Sequence, residues 1–410
     1  MWRKDNKMHK KHPPVDKIAK KLKKSTSKHN FFHRLLLTLR KNRNFVNEIQ
    51  NIIIMTELEI FAQRLKQARI LKKISMDQLV QRIGCIVSKQ AISKYESAKM
   101  KPTSTILIAL ATALEVDVEY FLRPFTFDVN QFQVSFRKKS DTSAKDVNAL
   151  KVQIQDQIER YLEVEELLGK PIDSIKRSEG EELSTAAQMR ELACEVRKDW
   201  HLGDDAIGNV QDTLESKGIK VISTEAPSGF DGVSGIVNGK DFIVVLNSTQ
   251  QHVERRRFTG MHELGHLLYD DRFSSELTQR EKENLCNAFA SEMLLPSATL
   301  HSIFKPGEKI STSELKQLQM VYGISVDAIM HKLHEIGIVN DSKYKSYNIR
   351  KRQSEALKDF VEASCYKENM THKFETMVYA AAAKDLISTS KAASLLHSSV
   401  GTVRKHLNVF

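Results

Sequence analysis

The feature that most constrains this chain is His262-Glu263-Leu-Gly-His266, which has the pattern His-Glu-x-x-His. Residues four apart lie on one face of a helix, so both imidazoles can reach a single metal ion. Glu263 follows the first histidine and can reach a water molecule held by that ion. Apolar neighbours predict that the helix is buried, and Gly265 would let a second backbone approach it closely. The alternative is a helix that carries two ordinary histidines.

A metal ion held by two histidines needs a third ligand, and a predicted helix downstream offers several carboxylates. We predict that Glu283 is the ligand and that Asn287, four residues later, hydrogen-bonds a ligand imidazole. Glu281 and Glu292 are rival ligands, and any of these glutamates could instead be an exposed helix charge. Two nitrogen ligands, a carboxylate base and an open position for water are typical of a zinc-dependent peptidase. The expected cofactor is one Zn²⁺ per chain, with another divalent metal as the alternative.

Residues 56–124 predict a separate domain of five short helices. Ser75 can cap the second helix and Ser88 the third, on which Ile92 and Tyr95 would face inward. This is the layout of a helix-turn-helix domain, whose second helix of the pair reads DNA in the major groove. The alternative is a small helical bundle with a solvated polar face. The side chains predicted to contact DNA are Ser88, Lys89, Gln90, Ser93 and Lys94.

The formal net charge of +12 comes from the first 54 residues, which hold 15 Lys+Arg and 3 Asp+Glu, so the remainder is neutral. Residues 1–55 are therefore predicted to be a basic extension that binds phosphates non-specifically. Equally, Met55 could be the true start, with upstream sequence translated before it. The four cysteines are scattered without a CxxC pair, which favours a reducing compartment and a cytoplasmic location. No apolar run approaches 18 residues, so no membrane partner is expected.

The rest of the chain divides into three predicted regions. Residues 125–180 form a helical connector, with a strand or hairpin near Phe125–Phe136 and a helix at 146–168 that serves as a spacer or a dimer helix. Residues 181–345 contain the metal motif, preceded by a hairpin around Asn238-Gly239. Residues 346–410 are helical. Two helices joined by a short turn, at Ile387–Leu396 and Val400–Leu407, form either a second helix-turn-helix or a packing or dimer element.

Two stretches resemble known families. Residues 56–123 resemble the XRE family of phage-repressor-like domains through Val87-Ser-Lys-Gln-Ala-Ile-Ser-Lys-Tyr-Glu96, although the turn Gly84–Ser88 is about two residues longer than usual. Residues 183–333 resemble the ImmA/IrrE family of metallopeptidases through His262-Glu-Leu-Gly-His266, Glu283-x-x-Cys-Asn-x-Phe-Ala290 and Leu294-Leu-Pro296. This second resemblance implies that His262, His266 and Glu283 hold zinc and that Glu263 is catalytic. It also implies a protein substrate, since members of that family cut XRE-type repressors.

We therefore expect a multidomain chain: an all-α helix-turn-helix domain, an α+β zincin-like metallopeptidase domain and a helical C-terminal region. The expected function is that of a DNA-binding regulator with a zinc endopeptidase domain that cleaves a partner repressor or itself. The alternative is an antitoxin- or repressor-like protein whose metal site is structural or sensory. The expected partners are double-stranded operator DNA and a protein substrate. A homodimer is also expected, because such readers bind two half-sites.

Overall fold

The computed structural model describes residues 56–127, 143–169, 175–369 and 371–407. The predicted basic extension and most of the predicted strand or hairpin near Phe125–Phe136 lie outside these residues. The first described helices pack around a core that includes Leu65, Leu79, Ile92 and Leu114, all fully buried. A short 3-10 helix follows them, so the predicted five-helix layout is confirmed. These elements are α1 (Glu57–Leu71), α2 (Met76–Arg82), α3 (Lys89–Glu96), α4 (Ser104–Leu114) and the 3-10 helix Val118–Leu122.

A three-stranded sheet lies at the centre of the α+β region, with β3 between β1 and β2. The strand β1 runs parallel to β3, and β2 runs antiparallel to it. The predicted hairpin is confirmed: residues 238–240 join the paired Val237 and Asp241, and Asn238 and Gly239 both have positive φ, as a tight type I′ turn requires. Because β2 has no described strand on its far side, it forms an edge of the sheet. The strands are β1 (Lys220–Thr224), β2 (Gly232–Val237) and β3 (Asp241–Asn247).

Helices cover one face of this sheet and build the largest core. Val244 and Leu246 of β3 point into it, where they meet Met261 and Leu264 of the motif helix. The helices of this region, in chain order after the long helix α5 (Ala144–Leu168), are α6 (Ala186–Asp199), α7 (Val210–Ser216), α8 (Val253–Tyr269), α9 (Gln279–Leu294), α10 (Ser297–Ile303), α11 (Thr312–Tyr322), α12 (Val326–Glu335), α13 (Asp341–Gln353) and α14 (Glu355–Glu362).

The helix α5 covers the opposite face of the sheet. Ile154 and Ile158 of α5 share a core with Ile243 and Val245, the two β3 residues that point away from the first core. Every residue of β3 is therefore buried, which accounts for its continuous apolar run. The sequence suggested a spacer or a dimer helix here, but a free spacer would leave these side chains exposed. In the structure α5 is part of the core, so the spacer is wrong, while the dimer helix stays a prediction.

The chain ends in three short helices with their own small core. Val378, Ala392 and Val403 are fully buried there, together with Val164 from α5. The observed architecture is that of the expected multidomain, mainly helical fold with a small sheet. Among the described residues, every helix is too short or too polar to cross a membrane. The three helices are α15 (Lys373–Ala383), α16 (Thr389–Leu395) and α17 (Val400–Leu407).

Candidate functional site

The motif helix α8 is packed tightly against α9. A β-carbon added at Gly265 would lie 3.3 Å from the Phe289 ring and 3.5 Å from the Cα of Cys286. The predicted close approach of a second backbone at Gly265 is thus confirmed. Since α8 and α9 meet at this point, the polar side chains of both helices are brought together beside it.

Three candidate ligands converge between α8 and α9. The Nε2 atoms of His262 and His266 lie 3.1 Å apart. A carboxylate oxygen of Glu283 lies 3.2 Å from the first of these atoms, and the other oxygen lies 3.7 Å from the second. In a tetrahedral zinc site with bonds of about 2.0 Å, neighbouring ligand atoms are about 3.3 Å apart. The three side chains therefore stand at the separations that such an ion requires.

The other nitrogen of each imidazole has its own hydrogen-bond partner. Nδ1 of His262 lies 2.8 Å from the side-chain oxygen of Asn287, and Nδ1 of His266 lies 2.7 Å from Asp270. Because Asp270 is a carboxylate and the Asn287 atom is a carbonyl oxygen, each Nδ1 acts as the donor. Each Nε2 atom can then serve as a ligand atom on the side of the Glu283 carboxylate. Two imidazole nitrogens and a carboxylate oxygen at these separations fit a divalent metal such as zinc.

Glu263 lies beside this cluster and contacts the sheet edge. The hydroxyl of Ser234, on β2, donates to a carboxylate oxygen of Glu263 over 2.7 Å. Glu263 is 9% exposed, so its carboxylate lies at the wall of the site without being sealed inside it. The Glu263 carboxylate and the β2 edge are therefore direct neighbours.

The two rival glutamates are engaged elsewhere. Glu281 accepts hydrogen bonds from the backbone and hydroxyl of Thr278 in a capping box at the start of α9. Glu292 is fully buried and forms an ion pair with Lys332 at 2.6 Å. Burial alone would raise the pKa of Glu292, but Lys332 and Ser297 outweigh this and hold the pKa below its usual value. Of the three glutamates, Glu283 is the one that the fold places with the histidines.

Sequence reasoning missed two of the polar contacts in this site. Asp270 follows His266 by four residues, a spacing that could have identified it as a partner on the same helix face. The contact between Ser234 and Glu263 joins residues 29 apart in the sequence, and no spacing pattern in the sequence indicates it. Cys286 also lies close: its sulfur, a nitrogen of His266 and a carboxylate oxygen of Asp270 fall within 4.8 Å of one another.

The start of α8 is fixed by a second polar cluster. Glu254 accepts hydrogen bonds from Gln319, Ser364 and the backbone of the segment after α14. Arg257 pairs with Glu368 at 2.5 Å, with both side chains almost completely buried. These contacts hold the helix at a defined position and therefore fix where its histidines point.

The helix α3 presents the residues predicted to contact DNA. Ile92 and Tyr95 are buried under it, and the hydroxyl of Ser88 accepts from the backbone of Ala91 as its N-cap. Lys89 also forms an exposed ion pair with Asp77 at 2.6 Å, an interaction weak enough to exchange for a phosphate. The exposed side chains on this face are Ser88, Lys89, Gln90, Ser93 and Lys94.

Buried charges join this helical domain to α5. Arg64 of α1 pairs with Glu159 of α5 at 2.6 Å, with both side chains excluded from solvent. Arg123, just after the 3-10 helix, forms an ion pair with Asp156 on the same face of α5. Gln67 adds a hydrogen bond to Gln155 over 2.6 Å. A buried ion pair is costly to break, so these contacts hold the domain in place.

Comparison with known proteins yields matches in the same two regions. Residues 65–121 match the family described as "Helix-turn-helix". Residues 214–334 match the family "Peptidase_M78: IrrE N-terminal-like domain". The "Uncharacterized HTH-type transcriptional regulator YobD" of Bacillus subtilis (strain 168) is 36% identical over 63 residues, 15% of this chain and 54% of that protein. The chain thus spans about half the length of this curated relative. Both family resemblances drawn from the sequence are confirmed.

Proposed function

We propose that this chain, which joins a helix-turn-helix domain to an IrrE-like peptidase-family domain, is a DNA-binding transcriptional regulator that cleaves a regulatory protein. The observation that carries the proposal is the convergence of His262, His266 and Glu283 beside Glu263. Its substrate is a partner repressor or the chain itself. The DNA reader in the same chain brings the peptidase to the promoter where such a repressor acts.

The residues of the site divide the catalytic work between them. When bound between His262, His266 and Glu283, a divalent cation such as Zn²⁺ supplies Lewis acidity, which polarises a carbonyl and acidifies water. Glu263 accepts the proton of the attacking water and later delivers it to the leaving amine. Ser234 orients the Glu263 carboxylate through its hydrogen bond.

The edge strand β2 provides a place for the substrate backbone. A peptide can add to an exposed strand edge through main-chain hydrogen bonds, with its side chains alternating between the two faces. Because Ser234 lies on β2 and contacts Glu263, a peptide along this edge would present a carbonyl next to the proposed base. The substrate would therefore be an extended segment of a protein.

DNA binding is assigned to α3 and a dimeric state to the assembled regulator. Lys89 and Gln90 lie on the first turn of α3, where side chains of such helices reach base edges. Lysine can donate to guanine and glutamine can pair with adenine. We expect a homodimer that binds two half-sites, which sedimentation of the protein with and without operator DNA would measure.

The test compares new protein N-termini in cells that express wild type, Glu263→Gln or Glu276→Gln, with and without DNA damage. Glu276 is an exposed glutamate outside the cluster, so its variant is the matched control. We expect a terminus that appears with wild type and Glu276→Gln and is lost with Glu263→Gln, although all three bind metal and DNA. Identical termini in all three would overturn the proposal and favour a repressor whose metal is structural or sensory.

A further inference from the structure

The three C-terminal helices contain a second two-helix unit that the proposed function does not use. The helix α16 begins at an N-cap, Ser388, whose side chain accepts from the backbone of Lys391. Four residues, 396–399, separate it from α17. Helix-turn-helix units that bind DNA join their helices by turns of three to four residues.

The start of this turn resembles the start of the longer turn, residues 83–88, between α2 and α3. His397 has φ of +49°, and the next backbone amide, of Ser398, donates to Ala393 at 3.0 Å. In the first unit, Gly84 has φ of +71°, and the amide of the next residue, Cys85, donates to Val80 at 2.9 Å. In each unit, the first helix therefore ends at a residue with left-handed backbone geometry, and the amide of the following residue donates to the carbonyl five residues before it.

A serine then starts the second helix of each unit. Ser399 accepts from the amide of Thr402, as Ser88 accepts from that of Ala91. Four residues after each serine, one side chain is fully buried, Val403 in α17 and Ile92 in α3. In both units, the second helix therefore turns the same position, four residues after its N-cap serine, towards the core.

The first helix of the C-terminal pair faces the body of the protein. Lys391 of α16 pairs with Glu163 of α5 at 2.8 Å, and Arg160 of α5 donates to the carbonyl of Leu395. These contacts hold α16 on α5. The second helix, α17, exposes its outer face to solvent. In helix-turn-helix units that bind DNA, the first helix likewise supports the second, and the second contacts the DNA.

The outer face of α17 is basic. Thr402, Arg404, Lys405 and His406 are exposed, and within the described residues neither Arg404 nor Lys405 forms an ion pair with a carboxylate. The sequence from 386 to 410 contains no Asp or Glu at all. Arg404 and Lys405 thus form a small basic patch without acidic neighbours in this stretch of sequence, and such a patch attracts phosphates.

We propose that residues 373–407 form a second binding unit for double-stranded DNA, in which Arg404 and Lys405 contact phosphates from α17. This site goes beyond the reader at residues 56–124. The chain would then hold DNA through two helix-turn-helix units that both rest on α5. A protein partner for α17 is the competing occupant, and the experiment below separates the two.

The experiment measures binding of the full-length protein to a mixed-sequence duplex by fluorescence anisotropy across a salt series. Arg404→Ala/Lys405→Ala removes the two proposed contacts without touching the core. Arg350→Ala/Arg352→Ala removes the same charge from exposed positions on α13 and is the matched control. Each pair is also introduced into a Lys89→Ala/Gln90→Ala background, in which the first reader is weakened.

In both backgrounds, Arg404→Ala/Lys405→Ala should weaken binding on the order of tenfold and lower the salt-dependence slope by about two, because two phosphate contacts are lost. The control pair should leave the slope unchanged. Equal affinities and slopes for the two pairs would overturn the proposal, whether or not Lys89→Ala/Gln90→Ala weakens binding. A change in sedimentation without a change in DNA affinity would also overturn it and make α17 a protein interface.

Discussion

The hydroxyl of Ser234 lies 2.7 Å from a carboxylate oxygen of Glu263, so the edge strand and the motif helix meet at the proposed catalytic base. A carboxylate that accepts a proton must hold its free lone pair toward the attacking water. Ser234 donates to one oxygen of the Glu263 carboxylate and thereby fixes the direction in which the other oxygen of that carboxylate points. The strand that would hold the substrate thereby also orients the group that acts on it.

Ser234→Ala should slow cleavage by about 10- to 100-fold without loss of bound metal, since a hydrogen bond to a charged group contributes about 1.5–3 kcal/mol. Single-turnover rates with the substrate found from new N-termini measure this change, and metal content is checked by elemental analysis. Ser234→Thr keeps the hydroxyl and should restore most of the rate. A full wild-type rate in the alanine variant would show that the contact does not orient the base.

Asn287→Ala should weaken divalent metal binding by about 10- to 100-fold, because the His262 imidazole loses the partner that fixes its tautomer and orientation. Titration calorimetry with Zn²⁺ and a competing chelator measures the affinity. Asn284→Ala, on the exposed face of the same helix, is the matched control. Equal affinities for the two variants would mean that Asn287 does not support the metal ligand.

Glu215 should make the protein less stable as the pH rises. It is 3% exposed, and burial raises its pKa from 4.5 to about 7. A carboxyl whose folded pKa is raised contributes stability below pH 4.5, and this contribution is lost as the pH rises towards 7. Glu215→Gln removes the titration, so it should be more stable than wild type by about 3 kcal/mol above pH 7, with a smaller gain near pH 5.

Urea unfolding of both proteins at several pH values, followed through tryptophan fluorescence, tests this prediction. Glu191→Gln changes an exposed carboxylate of α6 in the same way and serves as the control. A constant difference between Glu215→Gln and wild type across the pH range would contradict the linkage. The groups that act on Glu215 are Lys373, Thr371, Asp212 and Tyr161, none of which belongs to the metal cluster, so the effect is separate from that cluster.

Lys332→Met should destabilise the peptidase-like region by about 3–5 kcal/mol, because it leaves the buried Glu292 carboxylate without its cation. The lysine also donates to the carbonyl of Leu295 at the end of α9, the helix that carries Glu283. Denaturant titration measures the loss, with Lys309→Met as an exposed control. Replacing both partners, as in Lys332→Met/Glu292→Leu, should recover a large part of the stability; no recovery would show that the charge itself is not the cause.

The local parts of this site were predictable from sequence because their chemistry follows helix spacing. His262, Glu263 and His266 are close in the chain, and Asn287 follows Glu283 by four residues on a second helix. The choice between Glu283 and its rivals was harder, since spacing alone placed all three glutamates on one helix. The capping box that engages Glu281 is a local Thr278-x-x-Glu281 pattern that the sequence itself shows. The lysine that engages Glu292 lies 40 residues later in the chain, so that contact is a property of the tertiary structure.

The role of the long helix α5 could not be predicted for the same reason. Its amphipathic pattern predicts a helix with one apolar face, but it does not indicate which other element that face covers. The partners of Ile154 and Ile158 are strand residues about 90 positions later in the chain. Likewise, the acidic residues Asp156 and Glu159 looked like ordinary solvated charges until the fold placed Arg123 and Arg64 against them.

The position of α5 decides how this architecture can be cut and exchanged. A peptidase fragment that starts at residue 181 would expose the sheet face formed by Ile222, Ile243 and Val245 to water. A DNA reader grafted from another protein would face Glu159 without the matching Arg64. Recombination between such regulators therefore has to transfer α5 together with Arg64 and Arg123, the arginines that pair with it. Natural junctions should fall before Arg64 or after the end of α5, and not between them.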